Sequence, residues 1–120
     1  MKLNRMLPFL DDAEKTELVD SIINNDIVEG SISIMEVVPF LEEEEVDRLF
    51  KAALARVIDV NPISFLPFLN KDAISKLVKG IQSGEVANLT MEEILPYLEA
   101  DQIKALFQET LDFIKKSKQG

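Results

Sequence analysis

Four times in this chain a proline stands between an aliphatic residue and an aromatic–leucine pair: Leu7-Pro8-Phe9-Leu10, Val38-Pro39-Phe40-Leu41, Leu66-Pro67-Phe68-Leu69 and Leu95-Pro96-Tyr97-Leu98. These prolines are 31, 28 and 29 residues apart, and only Pro62 of the five prolines falls outside the pattern. A period in this range marks a repeated supersecondary unit. A unit that short cannot bury its apolar face alone, so neighbouring units must stack on one another.

The residues that follow each proline set the local structure. Ten and eleven positions on come Leu18-Val19, Leu49-Phe50, Leu77-Val78 and Leu106-Phe107, and seven positions on come Lys15, Val46, Ile74 and Ile103. Together with position fourteen these make one face at helical period. Position three is Asp11, Glu42, Asn70 or Glu99, residues suited to start a helix by capping or by favourable interaction with its dipole. The spacing predicts longer helices over 12–24, 43–58, 71–82 and 100–115.

Before the last three prolines there is a second set of start signals. Ser33 with Glu36 and Thr90 with Glu93 read as capping boxes, and Asn61-Pro62 places proline at a first helical position. Ile32 with Val37, Val60 with Phe65 and Leu89 with Ile94 are spaced as hydrophobic staples. A short helix therefore runs into each proline and must kink or stop there, because proline lacks the backbone donor and crowds the preceding turn.

The expected fold is all-α: a right-handed or compact stack of four Pro-[Phe/Tyr]-Leu helix pairs of about 29 residues, seven to eight helices in one domain over 1–120. The units span roughly 1–26, 31–59, 60–84 and 88–116. Units one and three share Leu-Val where units two and four share Leu-Phe, which suggests a duplicated two-unit block. The arrangement resembles the broad class of α-helical repeat proteins, the armadillo, HEAT and tetratricopeptide kind. The resemblance extends to helix-pair stacking only. The period is shorter, the tetratricopeptide Trp-Leu-Gly-Tyr pattern is absent, and no functional residue carries over.

Composition narrows the function. The 120 residues contain no Cys, His or Trp. Disulfides, thiol nucleophiles, Cys-ligated metal centres and His-based acid–base or metal chemistry are thereby excluded. Net charge is −9, and it is lopsided: residues 1–60 carry 6 basic and 14 acidic groups, net −8, while 61–120 carry 7 and 8, net −1. Such a surface repels phosphates, so nucleic acid is not an expected partner. No signal core or membrane-length apolar run is present, so the expected setting is cytoplasmic, without a membrane partner.

No catalytic constellation emerges. The four glycines (Gly30, Gly80, Gly84 and Gly120) fit no phosphate loop, and paired acids such as Asp11-Asp12 and Glu92-Glu93 lie at helix starts facing water. The run Glu42-Glu43-Glu44-Glu45 reads as a solvated first helical turn rather than a metal site. The recurring rings Phe9, Phe40, Phe68 and Tyr97 are expected to plug each corner into its neighbour, with the Tyr97 hydroxyl reaching the surface. The function expected is therefore a non-enzymatic protein-interaction module, adaptor or regulatory, without cofactor or metal. Its partner would be another protein with a basic surface, contacting Glu42, Glu43, Glu44, Glu45 and Tyr97. Two other readings remain open: a self-associating structural protein such as a homodimer, and a binder of a small apolar ligand between units near Phe65, Phe68 and Met91.

Overall fold

The computed structural model describes residues 2–27 and 30–119. Among these residues six α-helices are present: α1 (Asp12–Ile23), α2 (Ile34–Val37), α3 (Glu43–Leu54), α4 (Lys71–Ser83), α5 (Met91–Ile94) and α6 (Ala100–Gln119). Five 3-10 segments join them, at Leu3–Arg5, Leu7–Phe9, Val38–Phe40, Pro62–Phe68 and Leu95–Tyr97. Joining α2 and α5 to the 3-10 turns that continue them leaves seven helices after the N-terminal turns. Among the described residues there is no strand, and no helix is long and apolar enough to cross a membrane.

Each proline enforces the same local geometry. At all four motifs the backbone tightens into a 3-10 turn, and the leucine after the ring is extended, with ψ of 141° at Leu10, 153° at Leu41, 143° at Leu69 and 146° at Leu98. The leucine N–H donates to the carbonyl of the residue before proline in every case, for example Leu41 to Val38 at 3.1 Å. The next helix then starts from a cap. Asp11 and Glu14 form a capping box on α1, and the Asn70 side chain accepts from the Ala73 N–H on α4. On α6 the roles are shared differently: the Gln102 side chain accepts the Glu99 N–H. Glu42 precedes α3 without a side-chain cap bond and acts through its charge at the helix start.

The short-helix starts divide. Thr90 and Glu93 form the expected capping box, and Asn61 accepts the Ile63 N–H. Ser33 makes no side-chain cap bond, so the expected box with Glu36 is not formed. The third short helix, carrying prolines at both 62 and 67, is a seven-residue 3-10 segment rather than an α-helix.

A second regularity sets where the long helices stop. Seventeen residues after Pro8, Pro39 and Pro67 stand Asn25, Arg56 and Gly84, all left-handed, with φ of 57°, 61° and 86°. At Asn25 and Arg56 the reversed chain closes on the helix end. The Arg56 and Val57 N–H groups donate to the Ala53 and Ala52 carbonyls at 3.1 and 2.8 Å, satisfying carbonyls left open by α3. That closure ends α3 at Leu54, four residues short of the expected 58. The equivalent residue after Pro96 is Phe113, which the left-handed region disfavours, and α6 runs on to 20 residues against 12 or 13 for α1, α3 and α4. Because a non-glycine residue in that conformation costs about 1–2 kcal/mol, Arg56→Gly should raise stability by about 0.5–1 kcal/mol once the added freedom of the unfolded chain is subtracted. A urea midpoint that falls instead would show that the Arg56 side chain does more than tolerate the turn.

The core is one continuous apolar string. α1 packs on α3, α3 on the Pro62–Phe68 segment, and that segment on α5. Val19, Val37, Leu49, Phe65 and Ile94 are completely covered, and the Phe50 and Phe65 rings meet at 6.1 Å between centroids, tilted by 57°. Gly80 lets the chain after α4 return closely, since a Cβ there would come within 2.8 Å of Val86 Cγ2. The molecule measures 65 × 24 × 19 Å with a radius of gyration of 17.7 Å, against about 13–14 Å for a compact chain of this length. The compact shape, one of the expected alternatives, is therefore not adopted: the described residues form an elongated molecule.

Candidate functional site

The aromatic ring of each proline motif faces outward. Phe9, at 85 % exposed, is the extreme, and Phe40, Phe68 and Tyr97 are also exposed. This corrects the expectation that the rings plug the corners. In a 3-10 turn residues three apart share a face, so in the first three motifs the residue before proline and the leucine after the ring form the inward stripe. Leu7, Val38 and Leu66 are buried there, and the ring between turns to solvent; in the fourth motif Leu95 is exposed along with Tyr97. A period of three read across each proline would have shown this from the sequence; a period of 3.6 concealed it.

One of these rings borders a groove of about 400 Å³ between α3 and α4. Its floor is apolar, made by Phe50, Leu54, Leu69, Leu77 and Val86, with Phe68 at the mouth. Its rim carries Glu43, Glu44, Asp47 and Asp72 against Lys51 and Lys76, four negative groups to two positive, net −2. Two rim acids are already engaged: Asn70 Nδ2 donates to Glu43 at 3.0 Å, and Lys51 pairs with Asp47 at 2.9 Å one helical turn apart. Glu44 and Asp72 appear in no such contact among the described residues. The arrangement offers hydrocarbon for an apolar stripe and carboxylates for cations beside it.

The predicted acidic run is split by the helix it starts. Glu43 and Glu44 reach the groove rim, whereas Glu42 stays at the cap position outside it. Glu45 points to α1, where it accepts from Thr16 Oγ1 at 2.8 Å and pairs with Arg48 Nη1 at 2.8 Å. Arg48 also binds Asp20, and these two hydrogen bonds raise its guanidinium pKa further above the ordinary value, Asp20 contributing most. Glu45 thus helps tie α1 to α3. Tyr97 lies on the turn before α6 and does not line the groove. Of the three residues considered for an apolar ligand, Phe65 is sealed in the core, Met91 is half-buried and only Phe68 lines the groove. Lys51 and Lys76 were missed by sequence reasoning, because their joint rim position depends on how α3 and α4 pack.

Polar contacts also bridge neighbouring long helices elsewhere. Lys71 Nζ lies 2.7 Å from Asp101 and 3.2 Å from Glu99, and its hydrogen bond holds the exposed Asp101 carboxyl below the usual range. Gln102 Nε2 donates to Ser75 Oγ at 2.8 Å. Among the described residues no three acidic side chains converge as a metal site would require. Comparison with protein-family models, with curated proteins and with solved structures returns no match.

Proposed function

We propose that the chain is a stack of four related helical units acting as a protein-interaction module, adaptor or regulatory, whose α3–α4 groove takes an amphipathic segment bearing basic residues on a partner protein. The observation that carries this reading is the groove itself: an apolar floor with Phe68 at its mouth and a net acidic rim. Helix-in-groove recognition uses these two elements, apolar anchors at helical spacing for affinity and flanking charge for orientation and selectivity. The constant proline-turn geometry and the left-handed helix stops at one offset support the stacked-unit part of the reading.

The test titrates a designed helix with Leu on one face and Lys on the other, followed by fluorescence anisotropy. Phe68→Ala and Glu44→Lys should each weaken binding about tenfold, ~1.4 kcal/mol. The rim contribution should also shrink as salt shortens the Debye length from about 10 Å at 0.1 M. Equal binding of a Leu/Glu helix, or indifference to both substitutions, would remove the groove from consideration.

A further inference from the structure

We propose that the chain associates with a second copy of itself head to tail, the Pro8 turn of one copy seating on α6 of the next. The inference goes beyond the groove and rests on reading the four proline segments as stacked units. Within the chain, the residue two before each later proline is fully covered: Val37, Phe65 and Ile94 are all 0 % exposed. A ring pair shows the register, since Phe65 meets Phe50, which stands eleven residues after Pro39. Met6 is the residue two before Pro8, yet it is 41 % exposed. Phe107 is the residue eleven after Pro96, and it is 58 % exposed, whereas Val19 and Phe50 at that offset are buried. Seven after Pro96, Ile103 is exposed where Val46 and Ile74 are buried. One copy therefore carries both an unused plug and an unfilled helix face, and a second copy supplies the complement of each. Met6 on Phe107 would replace ring on ring with thioether on ring, a favourable contact.

The polar register agrees. Six residues after Pro96, Gln102 uses Oε1 to accept the Glu99 N–H at 2.8 Å and Nε2 to reach Ser75, eight residues after Pro67. Glu45, six after Pro39, likewise meets Thr16, eight after Pro8. Glu14 stands six after Pro8 and already accepts the Asp11 N–H on Oε1 at 3.0 Å, the same capping role as Gln102. The residue eight after Pro96 is Lys104, which is exposed. The head-to-tail junction would thus pair Lys104 with the second oxygen of Glu14, opposite charges at the position where two internal junctions hydrogen-bond. Because the two surfaces differ, the contact is heterologous, and it extends with concentration instead of closing at two chains.

The test uses light scattering on the 120-residue chain and two variants at exposed positions, Met6→Glu and Phe107→Glu, with circular dichroism to confirm unchanged helicity. The unsubstituted chain should gain mass with concentration, less so at high salt, and Lys104→Glu should weaken the gain roughly fivefold. Each glutamate variant alone should stay at the 13.5 kDa of one chain. Their equimolar mixture should form one junction, Met6 of one on Phe107 of the other, and stop at two chains. Self-association of Met6→Glu alone would mean pairing through α6 on α6 and overturn the proposal. So would a monomeric unsubstituted chain at every concentration, or a mixture that stays monomeric. Failure of the stacked-unit reading has a separate signature, an unchanged stability of Phe65→Ala; if that variant is destabilised while the mixture stays monomeric, only the head-to-tail contact is wrong.

Discussion

Phe65→Ala is expected to lower the unfolding free energy by about 3–5 kcal/mol. The ring has no exposed surface and meets Phe50 across the contact between α3 and the Pro62–Phe68 segment. That segment is a 3-10 helix of seven residues with proline at 62 and 67. Its hydrogen bonds are few and of poorer geometry than those of an α-helix, so packing holds it in place. Truncation removes the transfer energy of the ring, leaves a cavity and forfeits the tilted ring contact, itself worth about 0.5–1.5 kcal/mol. The molecule is elongated, 65 × 24 × 19 Å, so few other elements lie close enough to compensate. The denaturation transition should also broaden, as the parts on either side of the segment uncouple. The Phe50→Ala, Phe65→Ala double variant should lose less than the sum of the singles, because both truncations remove one shared contact. A loss below about 1 kcal/mol for Phe65→Ala would show that the junction is held otherwise.

Leu77→Ala should cost about 2–5 kcal/mol, whereas Leu106→Ala, at the same offset from its proline, should cost only about 1 kcal/mol. Leu77 is buried on α4. Leu106 is half-buried on α6, beside exposed Ile103 and Phe107. The two leucines have equivalent sequence surroundings, so the contrast isolates what covers them. Urea midpoints recorded in dilute solution compare them directly. Equal losses would mean that α6 is covered as fully as α4. The same measurement at high protein concentration should raise the cost at Leu106, if a second copy seats there.

The residues that were legible are those whose structure is closed within one turn. Asp11 with Glu14, Asn70 with Ala73, and Thr90 with Glu93 form the expected caps, and the short α-helices before Pro39 and Pro96 end where expected. Ser33 fails as a cap although its sequence resembles that of Thr90. The helix stop after α3 was misplaced, because the left-handed residue is Arg56 and nothing in an arginine announces that conformation. Where the same stop falls on glycine, at Gly84, the expected end at 82 and the observed end at Ser83 nearly coincide. The candidate site was half visible. Glu43 and Glu44 were singled out and do reach the groove rim, but Glu42, at the cap position, and Glu45, held by Thr16 and Arg48, lie outside it.

By itself, then, the sequence determined the helix starts, the four identical proline turns and the all-helical character. These depend on bonds between residues at most a few positions apart, and a local pattern suffices for them. Only the tertiary structure decided that the proline-turn rings face water, that α3 and α4 enclose an acid-rimmed apolar groove, and that the string is elongated with Met6 and Phe107 uncovered. Those outcomes turn on contacts between residues far apart in the sequence, such as Thr16 with Glu45 and Ser75 with Gln102. Burial at that range follows from the angle at which helices pack, and no short sequence window contains that angle.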